Sequence, residues 1–457
     1  MPQSSAGGAS QPSLRDGVDL GLQTEDDLAL QWVSTYGDAY RWTPGLDWMT
    51  CQPGGDRWHR DHRLERYDDA RNLARLASLS TTKPAEQRAL GSAKTVHNIV
   101  TLARSDRRIA LPAEAWNADA YALNTPAGIV DLRDGNVRPR RTIDYVTHCT
   151  AVAPAAESVC PVWSKFLADV FLGDETIIEF IQRFVGYTLT ADRREQVLLF
   201  CYGLGANGKS TFWDLVLGLV GTYAMKLPAQ VLMQSQTQGH PTELAQLHGR
   251  RLAVSSELEE GQYWAEARIK ELTGDEMLRA RYMRQDFFEF PMTQKHVIVG
   301  NFKPRLKGGD QALARRMLLL PFRARFAGEK RDHRMVERLR AEAPAVLRWA
   351  IEGAVKWHAG GLAIPASVRD ASAEYMHDND DLLLWIDEHC IVDAAARSKA
   401  TPLYEDYIKW LKARGQQAPS MKLWGDRMAA LEGVAKLKSH GVKVYTGIGL
   451  KALEAPQ

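Results

Sequence analysis

The sequence predicts an α/β protein: a phosphate-loop NTPase core, an α+β domain before it and a winged-helix-like domain after it. Three observations predict this. Between about residue 195 and residue 325, continuous apolar runs alternate with helical patterns, as in a mostly parallel sheet covered by helices. The loop "GLGANGKST" follows one of those runs and opens a helix. From residue 381 onward, helical patterns lead into a hairpin-like "KLKSHGVKVYTGIGL".

A chain of 457 residues is too long for one ordinary domain, and 45% hydrophobic with 25% charged residues describes a globular protein with a real core. A net charge of +2 means that any nucleic-acid affinity has to come from local patches. Five scattered cysteines (Cys51, Cys149, Cys160, Cys201, Cys390) form no C-x-x-C pair, which argues against a zinc ribbon or a disulfide scaffold and fits a reducing cytoplasm. No run reaches the roughly 18 apolar residues of a membrane span, so a membrane partner is not expected.

Residues 1–20 lack an apolar segment and read as a disordered tail. Residues 21–155 read as a small α+β domain. "TEDDLALQWVSTYGDAYRW" starts with a capping pattern, "YDDARNLARLAS" and "SAKTVHNIVTLARS" have helical spacing, and "YALNTPAGIVDLRDGNVRPR" alternates, with turns at "TPAG" and Asp134-Gly135. Residues 156–345 form the core. Two helices, the second starting at Asp174, precede strands at "QVLLFCY", "RRLAVSSE", "KHVIVGN" and "RMLLLPF". A lid or linker covers 346–380, and the winged-helix-like domain covers 381–457.

The chemistry concentrates in the core. Gly203, Gly205, Ala206, Asn207, Gly208, Lys209, Ser210 and Thr211 form the expected nucleotide cradle. Glycines let backbone N–H groups turn inward at the positive end of a helix, Lys209 reaches the β- and γ-phosphates, and Ser210 offers its hydroxyl to Mg²⁺. ATP and Mg²⁺ are therefore the expected cofactors. The second strand runs into Glu257, with Glu259 and Glu260 beyond: one carboxylate there can hold Mg²⁺ while its neighbour polarises the attacking water. Asn301 ends the third strand, where its amide can reach the γ-phosphate. Arg315 and Arg316 stand just before the last strand, positioned to reach a phosphate bound in a neighbouring subunit.

The order "GLGANGKST", "RRLAVSSELEEG", "IKELTGDEMLRARYMRQDFFEFPMTQ", "KHVIVGNFKPRL", "ALARRMLLLPF" resembles the superfamily-3 helicases of the phage and plasmid primase-helicase group. "WNADAYALNTPAGIVDLRDGNVRPR" resembles the domain that precedes the motor there. The resemblance implies an AAA+-like ATPase that assembles as a ring, a homo-hexamer, around single-stranded DNA and acts on forked DNA in a bacterial host cytoplasm. It implies that Glu257 and Glu259 are the Walker B acids, Asn301 the sensor and Arg316 the finger, with Arg315 as its understudy. The acids stand as Glu-Leu-Glu and not side by side, so the residue that orients the water stays open. It also implies a pore hairpin within "KELTGDEMLRARYMRQDFFEF". Thr273-Gly274-Asp275 reads as a turn there, between strands, and Lys270, Arg279, Arg281 and Arg284 are the backbone-contact candidates. From Arg268 to Arg316 there are 11 Lys/Arg against 6 Asp/Glu. The segment from Thr401 is also basic, with 9 Lys/Arg against 5 Asp/Glu.

Neither a zinc-ribbon cysteine set nor a strand-borne Asp-x-Asp precedes the motor, so priming is expected from a separate primase or a host enzyme. "DND" at 378–380 reads as a helix cap. The alternative is a non-unwinding AAA+ ATPase that loads or remodels a replication partner. Such a protein would carry apolar pore loops where this chain carries arginines. A small-molecule kinase would lack the Asn301 strand and the trans arginines.

Overall fold

The computed structural model describes residues 24–234, 241–256, 260–283, 287–306, 311–326, 332–439 and 442–451. The expected tail and the residues Glu257, Glu259 and Arg284 lie outside the described residues. The chain divides into two compact units, one of residues up to 118 with 141–147, the other of 119–140 with 148 onward.

In the first unit, Thr24 and Asp27 form the capping box that starts helix Glu25–Tyr36. This helix packs with helices Glu65–Leu79 and Ala93–Ala103 and with strands Tyr40–Thr43 and Asp47–Thr50. The core between them is aromatic, with Trp32, Tyr40 and Trp48 in mutual ring contact. Asp61, fully buried, accepts from the amides of Glu65 and Arg66 and pairs with the Arg66 guanidinium at 2.8 Å. A buried carboxylate is stable only when satisfied in this way.

The second unit is built on five parallel strands: Leu198–Tyr202, Ala224–Lys226, Leu252–Ser256, Lys295–Gly300 and Met317–Pro321. Numbered by their order in the chain, they lie 5-1-4-3-2 across the sheet. The phosphate-loop strand is therefore flanked by the strand that ends before Asn301 and by the strand that follows Arg316. Four of the five match the apolar runs read from sequence. The fifth, Ala224–Lys226, is three residues long and gives no periodic signal.

One face of the sheet is covered by helices Pro161–Val170, Glu175–Leu189, Lys209–Val220 and Ala343–Gly360, with Phe184, Leu199, Phe212 and Leu347 in one continuous core. Asp174 caps the second of these through the amides of Thr176 and Ile177, worth about 1 kcal/mol. Helices Glu175–Leu189 and Ala343–Gly360 approach through glycines: a Cβ on Gly186 would lie 2.0 Å from the Ala354 nitrogen, and one on Gly353 2.1 Å from the Gln182 carbonyl. The hairpin of Ala122–Thr125 and Gly128–Asp131 belongs to this unit by its contacts; Arg251 donates to the Ala122 carbonyl.

The stretch around Thr273-Gly274-Asp275 differs from the expected turn between strands. Helix Glu266–Gly274 runs through it, because Ile269, Leu272 and Thr273 bury on one side and the Thr273 hydroxyl bonds back to the Ile269 carbonyl. Lys270 is thus helical, and the hairpin follows as Met277–Ala280 paired antiparallel with Phe288–Pro291.

Residues 381–451 fold as helix Asp381–His389, strand Cys390–Lys399, helices Ala400–Ala413 and Met421–Ala429, and strands Ala435–Ser439 and Val442–Leu450. The last strand is central in a three-stranded antiparallel sheet. Trp385, Tyr407, Trp424 and Ile448 fill the core between these elements.

Candidate nucleotide site

The site forms at the carboxyl ends of the parallel strands, where open α/β sheets place ligands. Strand Leu198–Tyr202 ends in Gly203, whose φ of +154° and close approach to the Phe322 carbonyl (2.4 Å from a Cβ) exclude a side chain. Gly208 has φ of +86° and starts helix Lys209–Val220. The first turn of a helix leaves its backbone N–H groups without partners inside the helix, and Lys209, Ser210 and Thr211 of that turn line the cleft, the arrangement that phosphate binding uses.

Lys209 is buried, and its Nζ donates to the Gly203 carbonyl at 2.8 Å, Asn207 Oδ1 at 3.0 Å and Asn301 Oδ1 at 3.3 Å. Burial lowers its pKa from the ordinary lysine value. Asn207 is fixed in turn, with its Nδ2 on the Phe322 carbonyl at 3.1 Å. Three oxygens from the loop and the adjacent strand therefore hold the ammonium inside the cradle. Ser210 is exposed beside it and Thr211 is half-buried. Gly203, Gly205 and Ala206 complete the bend, all at positive φ.

A cavity of about 1070 Å³ opens over the loop and reaches Ser256, Gly300 and Asn301 at the ends of the neighbouring strands. Ser256 is the last described residue before Glu257 in the chain. A second stretch of lining comes from Phe326, Met335 and Val336, with Asp332 and His333 beside them. Sequence reasoning missed this lining, because its residues lie in an irregular segment and a separate helix.

The arginines lie at the other end of the sheet. Arg315 and Arg316 precede the first residue of strand Met317–Pro321, and a strand of five residues places them about 16 Å from the loop end. Arg315 is exposed; Arg316 is half-buried, with Nη1 on the Ala312 carbonyl at 2.7 Å and Nη2 against Gly274.

On the hairpin, Arg279 and Arg281 are exposed, and both guanidinium groups stand over the Phe287 ring, at 5.0 and 4.7 Å. Phe287 was not singled out from sequence; the signal was the aromatic pair "FF" that follows Arg284 after Gln285 and Asp286. Lys270 is half-buried on the preceding helix.

Glycine loop, caged lysine, neighbouring amide and 5-1-4-3-2 strand order together define a phosphate-loop α/β fold. A family model described as "D5 N terminal like" matches residues 29–172, and a family of unknown function, DUF5906, matches residues 201–316. A Frog virus 3 (isolate Goorha) protein named as a helicase, 022R, is 25% identical over 299 residues, which are 60% of this chain and 30% of that protein. An Acanthamoeba polyphaga mimivirus protein named as a helicase, L207/L206, is 24% identical over 213 residues, 45% of this chain and 22% of that protein. The chain thus spans less than a third of the length of these relatives. A solved apo structure of the NrS-1 C terminal region shares the fold, with a TM-score of 0.52, 11% identity, and coverage of 93% of this chain and 99% of that one. The chain thus resembles, at low identity, viral proteins named as helicases and carries the D5 N-terminal-like region of the primase-helicase type.

Proposed function

We propose that the chain is an ATP-dependent DNA helicase motor that works as a ring, a homo-hexamer, and moves along single-stranded DNA at a replication fork. The observation that carries the reading is the caged ammonium of Lys209, shared between the phosphate loop and Asn301. On binding ATP, the ammonium exchanges its carbonyl and amide partners for β- and γ-phosphate oxygens, and Asn301 is released to contact the γ-phosphate or the attacking water. Mg²⁺ supplies charge neutralisation of the triphosphate when bound; the exposed Ser210 hydroxyl fits it, and Glu257 is the carboxylate that would join it. Glu257 or Glu259 would orient the water.

The position of the arginines supports completion of the site by a second subunit. They cannot reach the loop of their own chain along a rigid strand. Arg315 is the better finger of the two, because it is exposed while Arg316 is half-buried with Nη1 bonded to the Ala312 carbonyl. Arg279, Arg281 and Arg284 would grip the DNA backbone, with Phe287 available to stack on a base. Lys270 lies farther down, on the helix that carries the hairpin. Priming is left to a separate primase.

A second reading draws on one observation: the hairpin also exposes Met277 and Met283, besides Phe287. Apolar side chains there suit an AAA+ ATPase that remodels a protein partner. The two readings separate on ATPase assays with and without single-stranded DNA, paired with strand displacement on a forked duplex. The helicase reading expects a several-fold rise in turnover with DNA and displacement of the strand. DNA-independent turnover without displacement overturns it in favour of the second.

A further inference from the structure

We infer that Tyr375 and Asn379, on helix Ala366–Asp378 and at its end, are positioning residues of the nucleotide site, acting through the segment that carries Asn301. The inference rests on the ATPase reading above. Asn301 is followed by an irregular stretch, Phe302 to Leu306, that belongs to neither a helix nor a strand. Such a stretch does not fix an amide to within hydrogen-bond tolerance of a phosphate unless something outside it does.

The external support is a set of buried hydrogen bonds. The Tyr375 hydroxyl donates to the Pro304 carbonyl and accepts from Trp264 Nε1 at 2.7 Å, so both of its roles are used. Tyr375 and Trp264 are both almost fully buried. Asn379 Oδ1 accepts from the Leu306 amide at 3.1 Å, while its Nδ2 donates to the Tyr375 carbonyl at 2.9 Å. The ammonium of Lys303 lies over the Tyr202 ring at 4.4 Å and faces Tyr375 at 5.8 Å, which draws the segment toward the end of the phosphate-loop strand. Backbone bonds from Trp264 to Arg305 and from Arg305 to Gln262 hold its other side.

The support is itself anchored. Asp380, next to Asn379, is buried, caps helix Asp381–His389 through the amides of Leu382 and Leu383, and is paired with Arg427. Asn379 therefore sits between helix Ala366–Asp378 and a helix whose start is anchored through Asp380 to Arg427. None of these side chains lines the phosphate cavity, so their effect on chemistry runs only through the placement of Asn301.

The test is steady-state ATP hydrolysis by the full chain, with thermal melts in parallel, for wild type, Lys209→Ala, Tyr375→Phe and Asn379→Ala. Tyr375→Phe keeps the ring and removes only the hydroxyl. The expected result is a fall in kcat of at least five-fold in both positioning variants, with KM within two-fold of wild type and melting midpoints within a few degrees. Unchanged kcat in both variants overturns the inference. So does a fall in kcat that tracks a loss of folded protein or an equal rise in KM, because either marks a merely structural role. If wild type turns over no ATP and Lys209→Ala changes nothing, the reading of the site fails first and takes the inference with it. Loss of turnover in Lys209→Ala with full activity in Tyr375→Phe and Asn379→Ala leaves the site standing and removes the inference alone.

Discussion

The two ends of the parallel sheet pose the same electrostatic problem and solve it for opposite purposes. At the carboxyl end, Lys209 is buried among three oxygens but faces an open cavity of about 1070 Å³. At the amino end, Lys295 is buried with its Nζ on the carbonyls of Thr190 and Thr293 and over the Tyr187 ring at 4.7 Å. Arg251, close by, donates to the carbonyls of Leu189 and Ala122 and lies over Tyr223. Both lysines have their pKa lowered by burial. The difference is exchangeability. A cation held by a loop next to open space can trade its partners for a phosphate, whereas one held in a closed core ties elements together.

The largest expected effect follows directly. Lys209→Ala should abolish ATP turnover while leaving the melting midpoint near wild type. Lys295→Ala should do the reverse, keeping turnover per folded molecule and costing about 3 kcal/mol, from carbonyls left unpaired and a cavity left unfilled. Turnover assays and thermal melts on both variants check the contrast, and equal behaviour would break it.

The arginines of the amino end sharpen it. Arg315→Ala should retain nucleotide binding and lose turnover at least ten-fold, and mixing it with Lys209→Ala subunits should restore part of the activity, since each supplies the half-site the other lacks. Arg316→Ala should instead lower the melting midpoint. Restoration by Arg316→Ala in place of Arg315→Ala would return the finger to the residue that the motif resemblance favoured.

A smaller effect concerns acid. His296, in strand Lys295–Gly300, and His148 are buried, and burial pushes both down to about 3. The unfolded chain takes up a proton near pH 6.5 that the folded chain refuses until about 3, so stability is complete above pH 6.5 and falls as the pH drops through that window. Each histidine should cost about 2 kcal/mol by pH 5. Melts from pH 7 to pH 5 should show the loss, and His296→Leu should flatten part of it.

The smallest effect lies on the hairpin. Arg281→Ala should weaken single-stranded DNA binding and reduce the salt dependence by about 0.7 in the log–log slope, one phosphate contact, measured by fluorescence anisotropy at several salt concentrations.

Much of the cradle was legible because its residues are contiguous. Glycines at the bend, Lys209 at the helix start and an apolar strand before them state the geometry within about fifteen residues. Four of the five parallel strands were legible for the same reason, being unbroken apolar runs. What was not legible depends on distant pairing. The Tyr375 hydroxyl meets Pro304 across 71 positions, and Arg316 stands against Gly274, itself expected to be a turn. Helical spacing in "ARIKELTG" competed there with the turn signal of Thr-Gly-Asp, and the burial of Ile269 and Leu272 decided for the helix.

The strand Lys295–Gly300 is hydrogen-bonded along both edges and buried at every residue. The hairpin enters it at one end and Asn301 leaves it at the other. A strand clamped on both sides cannot slide, because a slip of one residue would break two ladders at once and turn its whole buried face around. It acts as a ruler of about 20 Å. A push on the hairpin can therefore be felt at Asn301 only as a tilt of the whole sheet, or by the route around it through helix Glu266–Gly274.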